Sequence, residues 1–229
     1  LAEARREHLW RLLLDWPQAL GSEGQQAVFV EARKRLQDGS YDVWAKEALV
    51  LQWERLEKEL RAVDQPDAAN DAMLPPTTAA ESLAAWPRLD EAFAAAPTWN
   101  GKPASTGALA RHPELASRGA LAARVAARIA DLTSPRGLGA ASAAVVAPGV
   151  GRAAVETARG LLMHEIALDG DCVADCVIVA PTEWNFHSAG ALGEMLAGLR
   201  GDLDQVRARA SLAVLAFDPC VRSEVDLSA

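Results

Sequence analysis

The sequence predicts a predominantly helical α+β fold with one β-hairpin near residues 156–180. Three observations lead there. Apolar residues recur at helical spacing through the first quarter of the chain. After Glu156 the period shortens to that of strands, with β-branched residues gathered at Val173, Val177, Ile178 and Val179. Between two such runs stands Asp169-Gly170, one of the strongest two-residue hairpin signals. With 229 residues, half of them apolar, the chain can bury a sizeable core. We expect one domain over residues 1–229, made of a helical part (1–132) and a hairpin followed by a C-terminal segment (152–229).

In chain order, residues 1–16 place Leu9, Trp10, Leu12, Leu13, Leu14 and Trp16 between charged residues as a helical face, which Trp16-Pro17 ends. A second helix is expected from about Ser22 to Gln37, stopping at Asp38-Gly39. Ser40 then caps a long helix to about Val63, with Val43, Trp44, Leu49, Trp53, Leu56 and Leu60 on its apolar side. Residues 64–78, rich in Pro, Asp, Asn and Thr, read as a loop. Residues 82–96 form a weaker, alanine-rich helix with Pro87 near its first turn. Residues 97–115 hold too much Pro and Gly for regular structure in their first half, and a helix follows from Leu115 to Leu132. Residues 133–151 read as a Gly/Ala/Pro-rich connection.

If Asp169-Gly170 fills the turn, Leu168 pairs with Asp171, His164 faces Asp175 and Met163 faces Cys176. Cys172 and Cys176 then share one face of a strand roughly 13 Å apart, too far for a disulfide or for a shared metal. Both read as small apolar residues of a half-buried sheet. Near the C-terminus the largely apolar run 211–217 leads into Asp218-Pro219-Cys220. Pro219 has no backbone N–H, so it turns the chain and leaves Cys220 just beyond the helix end.

A net charge of −8 and a pI near 5.1 argue against nucleic acid or an anionic membrane as partner. No apolar stretch approaches the roughly 20 residues of a membrane span, and no signal-peptide pattern stands at the start. Three cysteines do not make a secreted disulfide framework. A cytoplasmic protein is expected. The chain opens at Leu1 without a methionine, so we expect an N-terminal portion to precede it.

Four segments carry a resemblance. Residues 101–111, with Gly101, Pro103, Thr106, Gly107, Leu109, Ala110 and Arg111, are similar to the G-x-P-x-E-[VT]-G-P-L-A-R motif of nickel–iron hydrogenase large subunits, with Ser105 in the glutamate position. Glu156 to Gly160 with His164 resembles E-A-P-R-G-x-x-x-H, with Ala158 in place of proline. Val179 to Asn185 resembles V-x-P-[ST]-T-W-N, and Asp218-Pro219-Cys220 resembles the start of D-P-C-x-x-C-x-x-H. Ser223 stands where that last motif has its second cysteine, and Asp226 where it has histidine.

The resemblance implies a large-subunit-like architecture and a site for iron carrying cyanide and carbonyl ligands. By it, Arg159 and Thr182 face the cyanides, Pro181 shapes the wall and Cys220 supplies sulfur, the soft donor that such iron favours. Serine at 223 is a poor ligand for soft metals, and the N-terminal C-x-x-C pair of an active centre is not in this sequence. The pattern resembles instead the large-subunit-like maturation scaffolds of the HupK/HoxV type. That resemblance implies a non-catalytic scaffold that holds or relays an Fe(CN)2(CO) unit transiently, with no nickel expected and no catalytic residues. Its expected partners are a HypC-type maturation chaperone and the hydrogenase large-subunit precursor. The alternatives are a divergent hydrogenase or a metal-free structural subunit of a hydrogenase complex.

Overall fold

A computed structural model describes residues 34, 40, 43, 57–58, 60–61, 72–75, 83–84, 86–133, 136–137, 139–221 and 223–227. The chain divides into two compact units, Leu1–Ala62 and Val63–Ala229. In the first, Lys34, Val43, Glu57, Lys58, Leu60 and Arg61 are helical. An exposed i,i+4 pair joins Arg61 to Glu57 at 2.9 Å. The helix expected over 1–16, and most of those over 22–37 and 40–63, lie outside the described residues.

The second unit is α+β. Its elements are α1 (Glu91–Ala95), α2 (Ala108–Arg111), a 3₁₀ turn (Pro113–Arg118), α3 (Ala120–Thr133), four strands, then α4 (Pro181–Asn185), α5 (Ala191–Gly198) and α6 (Leu203–Ala216). The strands β1 (Ala141–Ala147), β2 (Val150–Thr157), β3 (Gly160–Asp169) and β4 (Cys172–Val179) form an antiparallel meander in the order β1-β2-β3-β4. The single expected hairpin is therefore half of a four-stranded sheet, and among the described residues strands take a larger share than a predominantly helical fold implies. The connection expected over 133–151 holds all of β1 and the start of β2. Alanine, serine and valine alternate there with little contrast in polarity, so strand character comes from pairing with β2, Ala141 opposite Val155 through Val145 opposite Gly151.

The hairpin register also differs from expectation. Asp169 pairs with Cys172, so the two turn residues are Gly170, at φ +59°, and Asp171. A bulge near Ala167 and Leu168 shifts the ladder again. His164 consequently faces Ile178, Met163 faces Val179, and Asp175 faces Ala167. The expected His164–Asp175 and Met163–Cys176 pairs do not form. Cys172 and Cys176 are both exposed rather than half-buried.

One face of the sheet is the core. Ala154, Leu161, Met163, Val177 and Val179 pack there against Leu74, Leu83, Trp86, Leu89 and Trp184. The Trp86 ring lies 4.7 Å from Trp99 and 5.6 Å from Trp184, centroid to centroid. Two charges belong to this face. Arg152 and Glu165 form a buried ion pair, and Arg152 also donates to the carbonyls of Leu83, Trp86 and Pro87 at 2.6, 3.1 and 2.8 Å. Glu165 accepts from the Leu89 amide at 3.3 Å. The pair thus replaces the hydrogen bonds that the backbone of Leu83, Trp86, Pro87 and Leu89 would otherwise make to water. Helix does not continue through residues 82–96 as expected. Pro87 interrupts it, and α1 starts afresh with Asp90 as N-cap, its Oδ1 accepting from the Phe93 amide at 2.7 Å.

The helix expected over 115–132 begins as a 3₁₀ turn, breaks at Gly119 (φ +99°) and resumes as α3. Helix α6 ends at Ala216, ahead of Pro219, as the proline requires. No helix among the described residues is long and apolar enough to cross a membrane.

Candidate functional site

Three backbone segments far apart in sequence converge at one edge of the core. The first is the tight turn between β2 and β3, Ala158-Arg159, followed by Gly160. The φ of Gly160 is +128°, and a Cβ there would lie 2.4 Å from the Thr106 Cγ2, so only glycine fits. The second is α4, which Pro181 starts at a position that needs no N–H donor. The third is the residue pair after α6, where Asp218 adopts φ +54° and redirects the chain into Pro219-Cys220.

Among the expected site residues, Thr182 and Cys220 meet. Thr182 Oγ1 and Cys220 Sγ are 3.2 Å apart across 38 residues of sequence. Cys220 is exposed. Pro181 is buried beneath them at the start of α4. Arg159, in the β2–β3 turn, has its side chain 20 % exposed and its Nε 3.8 Å from Asp218 Oδ2. That is an ion pair but too long for a hydrogen bond. Arg159 Nε and Nη2 are buried and have no hydrogen-bond partner.

Beside Arg159 lies a cavity of about 20 Å³, space for one water-sized group. Thr106, Arg124, Arg128, Arg159, Asn185 and Asp218 line it. Three guanidinium groups around one carboxylate make it an electropositive pocket. Arg128 donates to Asp218 Oδ1 and to the Leu215 carbonyl, both at 3.1 Å, tying α3 to the end of α6. Arg124 donates to Ser105 Oγ at 3.1 Å and stacks 4.0 Å over the Phe217 ring. Pro181, Thr182 and Cys220 are not among the lining residues.

Behind the turn is a buried charge cluster. Arg111 donates to Asp131 Oδ2 at 2.6 Å, Glu156 Oε2 at 2.8 Å and the Ala158 carbonyl at 3.2 Å. His112 Nε2 lies 2.9 Å from Asp131 Oδ1. Burial pushes the Glu156 carboxyl above its ordinary value, against the pull of Arg111. Sequence reasoning singled out Arg111 only as a motif match and passed over His112, Asp131, Arg124 and Arg128. The available signal was a pair of arginines one turn apart on an alanine-rich helix, with Asp131 following at a three-residue step. No group of three or more His, Cys, Asp or Glu side chains suited to a metal ion occurs among the described residues.

No protein-family model matches the chain. It is similar, however, to several known proteins. It is 39 % identical over 137 residues to the hydrogenase expression/formation protein HupK of Azotobacter vinelandii, covering 59 % of this chain and 40 % of that one. It is 36 % identical over 184 residues to the hydrogenase expression/formation protein HoxV of Cupriavidus necator, covering 71 % and 46 %. It is 42 % identical over 157 residues to HupK of Rhizobium leguminosarum bv. viciae, covering 60 % and 42 %. The chain thus spans a little under half the length of these relatives. Over most of its own length it is a homologue of the HupK/HoxV hydrogenase expression/formation proteins.

Proposed function

We propose that this chain serves hydrogenase maturation as a non-catalytic scaffold with a large-subunit-like architecture, its cargo an Fe(CN)2(CO) unit bound for the hydrogenase large subunit. The observation that carries the reading is the 3.2 Å contact of Thr182 with Cys220. It sets a hydroxyl beside an exposed thiol, and exposure is what a residue that receives and releases cargo needs.

The donor set bears on what could be held. One thiol is too few for a bare metal ion, which needs four or more ligands in a structural site. An iron unit that brings its own diatomic ligands needs few from the protein. Cyanide nitrogens accept hydrogen bonds, and Arg159 has two buried nitrogens without an acceptor. In this reading Cys220 supplies sulfur, Thr182 and Arg159 donate to the cyanides, and Pro181 forms the wall. A single anchoring bond also suits a relay, because one exchange releases the cargo. The partners that follow are a HypC-type chaperone on the donating side and the large-subunit precursor on the receiving side.

Infrared absorption in the cyanide and carbonyl stretching region tests the reading. Protein purified anaerobically from cells with intact maturation machinery should show both sets of bands, and Cys220→Ser should abolish them with the fold unchanged. A Cys220→Ser protein that keeps its full complement of cyanide-ligated iron removes Cys220 as ligand. Hydrogen-dependent dye reduction by the purified wild type would instead favour a divergent hydrogenase.

A further inference from the structure

Thr106 touches two of the three converging segments at once. Its amide donates to Asn185 Oδ1 at 2.8 Å, at the end of the short helix that carries Pro181 and Thr182. Its hydroxyl accepts from the Leu161 amide at 2.9 Å, just after the turn that carries Arg159. Both bonds are buried, where a donor left without its acceptor is costly. The approach to the turn is close enough that both sides of that contact carry a glycine. A Cβ on Gly160 would meet Thr106 Oγ1 at 2.5 Å, and one on Gly107 would meet the Arg159 carbonyl at 3.0 Å. Five residues after Thr106, Arg111 donates to the Ala158 carbonyl of the same turn at 3.2 Å.

Helix α4 is too short to hold its own orientation, whereas the turn is carried by the β2–β3 ladder, Thr157 opposite Gly160. Helix α4 has five residues, and the turn has two. An isolated helix of this length does not keep a fixed geometry, so its placement against the turn is set from outside. The residues that set it are the ones bonded to both. We propose that Thr106, with Asn185, is a positioning residue that locks the Arg159 turn and the Thr182 helix into one frame, so that the two donors address the same ligand beside Cys220. The proposal rests on reading Arg159, Thr182 and Cys220 as one site. Thr106 touches no cargo in this scheme; it acts through Leu161 and Asn185.

Chemical modification tests this without iron. In a Cys172→Ser, Cys176→Ser background Cys220 is the only thiol, and its iodoacetamide alkylation rate reports its surroundings at Thr182. Phenylglyoxal modification of Arg159, followed by peptide mass spectrometry, reports the turn. Thr106→Val keeps the shape and removes the acceptor, and Asn185→Leu removes the acceptor on α4. Each is expected to change both rates by roughly threefold or more, as the loss of one buried hydrogen bond allows. Thr106→Ser keeps the hydroxyl and should restore both rates to wild-type values, which a loss of packing alone would not allow. If Thr106→Val does not fold, Thr106→Ala, which adds no atom to the contact with Gly160, takes its place. Folded variants with wild-type rates at both Cys220 and Arg159 overturn the proposal, as does a Thr106→Ser protein that behaves like Thr106→Val. Because both rates are read on cofactor-free protein, a wild type that never carries iron would overturn the scaffold reading and leave this one standing.

Discussion

Arg111→Met takes the cation out from between two buried carboxylates. The side chains of Arg111 and Asp131 are each 1 % exposed and that of Glu156 3 %, so water cannot replace what is lost. Methionine fills much of the same volume but donates nothing, and the bonds of 2.6 and 2.8 Å to the two acids disappear together. Removing one partner of a buried ion pair costs about 3–5 kcal/mol. Two such costs should not simply add here. Asp131 keeps His112 at 2.9 Å, and Glu156, already displaced upward by burial, can take a proton. We therefore expect about 3–5 kcal/mol in total, a large share of the roughly 5–15 kcal/mol that stabilises a typical domain. Urea unfolding followed by tryptophan fluorescence, with Trp86 and Trp184 in the core, should show the midpoint falling at unchanged slope. Arg111→Lys keeps the charge without the planar fork and should fall between, at about 1–3 kcal/mol. Adding Glu156→Gln to Arg111→Met should return part of the loss, because the unpaired charge is gone. A cost below about 1 kcal/mol for Arg111→Met, or a double variant whose losses are fully additive, would refute the view that the cluster is held by charge pairing.

Glu156 has a raised pKa, so its contribution to stability is fully present below its ordinary value of 4.5 and is lost as pH rises through the raised one; urea midpoints of Glu156→Gln should decline less over that climb than those of the wild type. Leu161 is fully buried against the tryptophan cluster, and Leu161→Ala should cost about 2–5 kcal/mol by urea unfolding, whereas Val145→Thr, at a site 81 % exposed, should stay within about 0.5 kcal/mol. Cys172 and Cys176 are exposed, so both should react with a thiol reagent in the folded protein, and serine at either position should change stability by at most about 0.5 kcal/mol. Slow reaction confined to those two thiols would contradict their placement on the open part of β4.

The sequence by itself determined the local features whose cause lies within a few residues. Pro219 stops α6, and the mixed α+β class follows from the change of period after Glu156. The motif resemblances also led to the HupK/HoxV homologues, and to Thr182 and Cys220 as neighbours, because motifs record which residues meet without needing their path through space. What the sequence could not decide was pairing. Ala141–Ala147 has too little alternation in polarity to read as a strand, and it became one only by hydrogen-bonding to β2. The hairpin turn fell one residue later than Asp169-Gly170 suggests and a bulge followed, so His164 faces Ile178 and the cysteines face solvent. A register is a sum of many cross-strand contacts, and a slip of one residue moves every side chain to the other face. The arginine pocket and the Arg111 cluster were hidden for the same reason. Arg111, Asp131 and Glu156 are ordinary charges in the sequence, and only the packing of α2, α3 and β2 takes them out of water, where burial makes each depend on the others.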